Sequence, residues 1–103
     1  MSTEEIRRMC MADAIRWTEH AMLRLIKRGI SRNDVKHALE SGEIIEQYPD
    51  DYPYPSSLVL GVSDSDERLH IVCGYGENEL WIITAYHPDL GEWTDDFRKR
   101  VAL

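Results

Sequence analysis

No stretch of this chain comes near the roughly 20 consecutive apolar residues that a bilayer-spanning helix requires, so no membrane partner is expected. Cysteine is scarce too. Cys10 and Cys73 alone are too few for the disulfide framework of a small secreted scaffold, and Cys73, inside an apolar run, reads as a small buried hydrophobe. The segment Met1–Cys10 carries two Glu and two Arg and no apolar core. A secretory signal is therefore not expected, and a cytoplasmic location follows. There are no repeats, no low-complexity tracts and no linker long enough to divide 103 residues into two cores. The four histidines and two cysteines show no metal-type spacing, and there is no phosphate-cradling glycine loop or nucleophile elbow. No metal and no other cofactor is expected.

Positive charge is the other shortage. Lys and Arg total 12 against 19 Asp and Glu, a net of −7, the wrong sign for long-range attraction to phosphate backbones. A DNA partner is not expected on that ground. A nucleic-acid role requires a local basic patch that the rest of the molecule opposes.

What is present is an ordinary globular mixture, 43% hydrophobic and 30% charged. Ser2 with Glu5 three residues on predicts a capping box and a short N-terminal helix through Ile6, Met9 and Cys10. Thr18 is the next N-cap, with Trp17 placed to staple onto Met22. Met22, Leu25 and Ile26 form the expected buried stripe, and Gly29 the left-handed stop. Ser31 and Asp34 open a further helix that buries Val35, Ala38 and Leu39 and ends at Gly42. These two form a hairpin of helices, each too short to stand without packing.

The packing surface is a sheet. Glu43–Tyr48 reads as a strand with Ile45 directed to the core, and Ile44 as a second candidate. The loop Tyr48–Pro55, with three prolines, cannot be central sheet. Ser57–Val62, Arg68–Tyr75 and Glu79–Tyr86 follow as strands joined by short polar turns, an antiparallel meander. Thr94 or Asp95 caps an expected final helix carrying Phe97 and Val101, with Arg98, Lys99 and Arg100 favourably placed at its C-terminal dipole. The expected class is α+β: an N-terminal helical hairpin on a four-stranded, mainly antiparallel sheet, with a short C-terminal helix.

Two places can carry chemistry. With Met22, Leu25 and Ile26 inward, His20, Arg24 and Lys27 occupy the far side of their helix, with Arg28 at its margin. An imidazole able to exchange protons near neutrality, beside a guanidinium able to hold an anion, suits phosphate chemistry; it is equally a solvated helix face. The second is the end of the last strand, Thr84-Ala85-Tyr86-His87-Pro88, then Trp93. Tyr86 can orient a substrate or stack on a base and His87 can act as acid or base, or else Tyr86 and Trp93 simply cover the sheet edge. Tyr48, Tyr52 and Tyr54 either bind a ligand or pin the proline loop. His70, alternating with Leu69 and Ile71, is expected to be structural, on the solvated or opposite side of the sheet.

Several segments together resemble a known family. They are Thr18-Glu19-His20-Ala21 with Arg24 and Lys27-Arg28-Gly29-Ile30-Ser31, Ser41-Gly42-Glu43-Ile44-Ile45, Leu69-His70-Ile71-Val72, and Ile82-Ile83-Thr84-Ala85-Tyr86-His87-Pro88. The resemblance is to a family of small bacterial and archaeal domains, domain of unknown function 4258. It covers residues 17–93 of a single domain spanning 1–103, with 1–16 as an N-terminal extension or short helix. That family is similar to RelE/ParE-like toxins and especially to BrnT-like ribonuclease toxins. The resemblance implies a RelE-like fold and a metal-independent endoribonuclease of a toxin–antitoxin system, with an RNA substrate and an antitoxin partner. On that reading His20 is base or acid, Arg24 and Arg28 clamp the phosphate with Lys27, Tyr86 orients the substrate with Trp93 beside it, and His87 is a second proton carrier. The alternative is a non-catalytic protein-binding or homodimerisation module of the same fold.

Overall fold

Each helix begins where a side chain can satisfy its first free amides. In the computed structural model, which describes residues 1–102, α1 (Thr3–Met11) and α3 (Arg32–Ser41) open with complete capping boxes, Ser2/Glu5 and Ser31/Asp34. α2 (Glu19–Arg28) opens with the Thr18 hydroxyl accepting from the Ala21 amide and stops at Gly29, whose φ of 67° is left-handed. Ile6, Met9 and Cys10 of α1 and Val35, Ala38 and Leu39 of α3 are buried as their spacing requires.

Among the described residues the strands are β1 (Ile15–Trp17), β2 (Glu43–Tyr48), β3 (Ser56–Val62), β4 (Arg68–Gly76) and β5 (Glu79–Tyr86), in the sheet order β1-β5-β4-β3-β2. β3 to β5 form the expected antiparallel meander, and β2 pairs antiparallel with β3 across the proline loop. The sheet nonetheless has five strands, not four: β1 adds itself in parallel to β5. Three residues are too few to display an alternation, and here they lie hidden just before a helix cap. In β2 a bulge between Ile44 and Glu46 turns Ile44 rather than Ile45 against the core.

One face of the sheet carries Val59, Leu69, Ile71, Cys73, Leu80 and Ile82, on which the three helices pack. Burial pushes the Cys73 thiol up to about 12 and the Cys10 thiol to about 11, where the nearby Glu40 carboxylate adds to it. Both remain free thiols. No described helix is long and apolar enough to cross a membrane.

The opposite face is covered by residues 88–101, and this segment is not a helix. Trp93 and Arg100 pair as an antiparallel bridge. In a helix, residues seven apart stand roughly 10 Å apart along the axis. The bridge is incompatible with that, and two attachments hold it: Trp93 is 2% exposed against the sheet, and Arg100 grips Glu46 twice, at 3.1 Å each. Thr94 caps a turn instead, with Phe97 in a left-handed conformation. Arg98–Arg100 therefore serve no helix dipole; Arg98 pairs with Glu43 and Arg100 with Glu46.

Candidate functional site

The rotation of α2 about its axis decides what it presents. Ala21 and Leu25 are fully buried, while Ile26 is 72% exposed. The expected stripe of Met22, Leu25 and Ile26 is thus corrected by roughly 70° of helix rotation. The cause lies at the C-terminal end of α2. β1 pairs only with Leu80–Ile82, which leaves the rest of β5 as an open edge. Arg28 closes it, with Nη1 donating to the Ala85 carbonyl at 2.7 Å and to Thr84 Oγ1 at 2.9 Å. Hydrogen bonds from a charged donor are worth about 1.5–3 kcal/mol, similar to burying one isoleucine. Two such bonds, with the small Ala21 seating the helix on the sheet, outweigh burial of Ile26.

With α2 so turned, His20, Arg24 and Arg28 form one row at i, i+4 and i+8 whose Arg28 end meets the open edge of β5, with Lys27 beside it. The row is roughly 12 Å long at 1.5 Å per residue. His20, Arg24 and Lys27 are exposed, and among the described residues none of the three enters an ion pair. The acidic residue of this helix, Glu19, stands in its first turn. The row is the local cluster of basic side chains that a nucleic-acid role in a chain of net −7 requires.

The end of β5 is organised differently. The Tyr86 hydroxyl lies 3.2 Å from His70 Nδ1, and His70 Nε2 lies 2.8 Å from the Phe97 carbonyl. A carbonyl only accepts, so Nε2 carries the proton and Nδ1 accepts from Tyr86. His70 is fully buried, not solvated, and packs edge-on under Trp93 at 4.4 Å. Burial lowers its pKa, against the opposing pull of the Phe97 carbonyl and Glu46, and burial likewise raises that of Tyr86. Beside it Tyr48 donates to Glu46 at 2.5 Å, and burial with that bond pushes the phenol to about 12. Burial alone would raise the Glu46 carboxyl, but bonds from Arg100 and Tyr48 hold it below its ordinary value. This latch joins β2, β4, β5 and the C-terminal segment. No local pattern announces it, because its members lie far apart in the chain and only pairing register brings them together.

The structure therefore brings some of the anticipated residues together and separates others. Thr18 reaches the Ile82 carbonyl at 3.4 Å and Arg28 the Ala85 carbonyl, so α2 runs in the same sense as β5. His20 stands at one end of the row, while Tyr86 and His87 follow the Arg28 end. His87 Nδ1 is 3.6 Å from Glu67 Oε2. A single phosphate does not meet both His20 and His87. Trp93 is packed inside and offers no ring to a ligand. No group of three His, Cys, Asp or Glu among the described residues is placed to hold a metal.

The model of the family described as Domain of unknown function (DUF4258) matches residues 17–87, well over half of the chain. The chain belongs to that family. The match contains the whole basic row, its Ala85 anchor and the Tyr86–His87 strand end of this DUF4258 domain, and leaves α1 and the latching C-terminal segment outside. No curated protein and no solved structure matches the chain.

Proposed function

We propose that this DUF4258 domain is a cytoplasmic, toxin-like RNA-binding module with metal-independent endoribonuclease activity, held in check by an antitoxin protein, in the manner of RelE- and BrnT-like toxins. The observation that carries the reading is the exposed row of His20, Arg24 and Lys27 on α2, none of which enters an ion pair among the described residues. In the reaction the ribose 2′-oxygen attacks phosphorus and gives its proton to His20. The P–O5′ bond breaks, and the 5′-oxygen takes a proton from solvent. The products are a 2′,3′-cyclic phosphate and a 5′-hydroxyl. Arg24 and Lys27 stabilise the extra charge on the phosphorane oxygens. Arg28, held by Thr84 and Ala85, fixes the far end of the row.

The test is purified protein against a 5′-labelled single-stranded RNA in excess chelator, with growth and total RNA followed on expression in a bacterial host. Cleavage to cyclic-phosphate ends, lost in His20→Ala and Arg24→Ala, supports the reading; intact RNA and unaffected growth refute it. A second reading, a non-catalytic partner-binding or homodimerisation module, draws on Leu23 and Ile26, 61% and 72% exposed on the same helix. It requires association to be lost in Ile26→Asp while His20→Ala changes nothing.

A further inference from the structure

On the helix-free face of the sheet, a groove of about 270 Å³ runs between the proline loop and β5. Tyr54 and Trp81 form one wall with ring centroids 5.6 Å apart, and Ile83 forms the other. Its floor is Gly74, where a side chain would stand 3.3 Å from the Pro55 carbonyl and 3.8 Å from Ile83 Cδ1. Tyr52, also lining it, is 94% exposed on a loop stiffened by Pro49, Pro53 and Pro55. A ring held out in water beside other rings, on a backbone that has already lost its freedom, is pre-organised to stack.

We infer that this groove is a nucleobase subsite for single-stranded RNA whose phosphates lie on the His20–Arg24 flank. The inference rests on the RNA reading above and deepens it. Continuity and charge together name the occupant. Thr18, the cap of α2, lines the groove and precedes His20 by two residues. Ile83 also lines it and precedes Thr84, which Arg28 grips. The groove thus meets α2 at its Thr18 cap, next to the His20 end of the row, and the Arg16 guanidinium, paired with Glu79 at 2.9 Å, lies 5.2 Å from the Trp81 ring. An apolar peptide finds no use for the exposed His20–Arg24 row, whereas a nucleotide has a flat apolar base for the rings and an anion for the row. Asp51 supplies a polar edge: one carboxylate oxygen is held by Ser56, and the other can accept from a base amino or imino group.

The experiment is an NMR titration of the full chain with a 2′-O-methylated adenosine heptanucleotide, which binds but cannot be cleaved, and with an abasic phosphodiester oligomer of the same length. We expect the heptanucleotide to shift the Gly74 amide and the Trp81 indole signal together with His20 and Arg24, and the abasic oligomer to shift His20 and Arg24 only. Tyr52→Ala, a change to an exposed side chain, weakens heptanucleotide binding about tenfold, within the range for loss of one base stack. Shifts at His20 and Arg24 without Gly74 or Trp81 overturn the subsite and leave the RNA reading standing. No shift anywhere overturns both. A groove that responds to a hydrophobic pentapeptide but not to the heptanucleotide belongs to a protein partner, and the inference fails.

Discussion

Arg28 donates to the Ala85 carbonyl at 2.7 Å, and through that bond a helix residue closes the part of β5 that β1 leaves open. Arg24, one turn earlier on the same row, enters no ion pair among the described residues. The two arginines should separate stability from binding. Arg28→Ala strands a backbone acceptor and should lower the unfolding free energy by about 1–3 kcal/mol. Arg24→Ala should change it by less than about 0.5 kcal/mol. In RNA binding Arg24→Ala weakens affinity and reduces the log–log salt slope by about 0.7, the share of one single-strand phosphate contact. Urea denaturation and binding across a salt series measure both. Equal stability losses in the two variants would remove the anchoring role of Arg28.

Gly61 and Ala38 place a strand and a helix backbone in direct contact. A Cβ on Gly61 would lie 2.0 Å from the Ala38 carbonyl oxygen and 2.6 Å from its carbon, so no side-chain adjustment relieves the clash. Gly61→Ala should lift α3 from β3 and cost about 3 kcal/mol, the upper end of overpacking effects. Gly29→Ala is the control: nothing lies within 4 Å of its Cβ position, and only the φ of +67° is strained, about 1 kcal/mol. Chemical denaturation midpoints at matched slope report the order. Gly29→Ala proving the more damaging would contradict the close approach.

The two glycines also show what sequence exposes and what it conceals. Gly29 was legible because a left-handed stop is a local requirement, set by the helix that precedes it. The caps at Ser2, Thr18 and Ser31 were legible for the same reason, as were the meander strands, marked off by the short polar turns between them. Gly61 was not: its reason is Ala38, on another element. Ile26 likewise obeys the apolar rule of its own helix, and only the open edge of β5, a consequence of β1 being three residues long, turns it out and Arg28 in. The C-terminal segment has a cap and an apolar pair at helical spacing, but Trp93 and Arg100 gain more from His70 and Glu46 than from a short isolated helix. The basic row was visible as a row; its direction was set by tertiary contacts.

The His70 latch gives a pH dependence with a definite sign. Burial lowers the folded-state pKa of His70 below its ordinary value, near 6.5 in an unfolded chain. As pH falls below about 6.5 the unfolded chain takes up this proton while the folded one resists, so the unfolded state binds more protons and stability declines. The contribution is complete above about 6.5 and is lost as pH falls through the folded-state value. Glu46, also facing His70, is held low by its partners, so its own contribution is lost only further down, below about 4.3. Between about pH 6.5 and 4.5 the denaturation midpoint of the wild type should therefore fall. His70→Gln can still accept from Tyr86 and donate to Phe97, but it does not titrate and it loses the edge-on packing under Trp93. It should start less stable at pH 7 and show a shallower slope over that window. Parallel slopes for the two proteins would place the acid sensitivity elsewhere and reduce His70 to a packing residue.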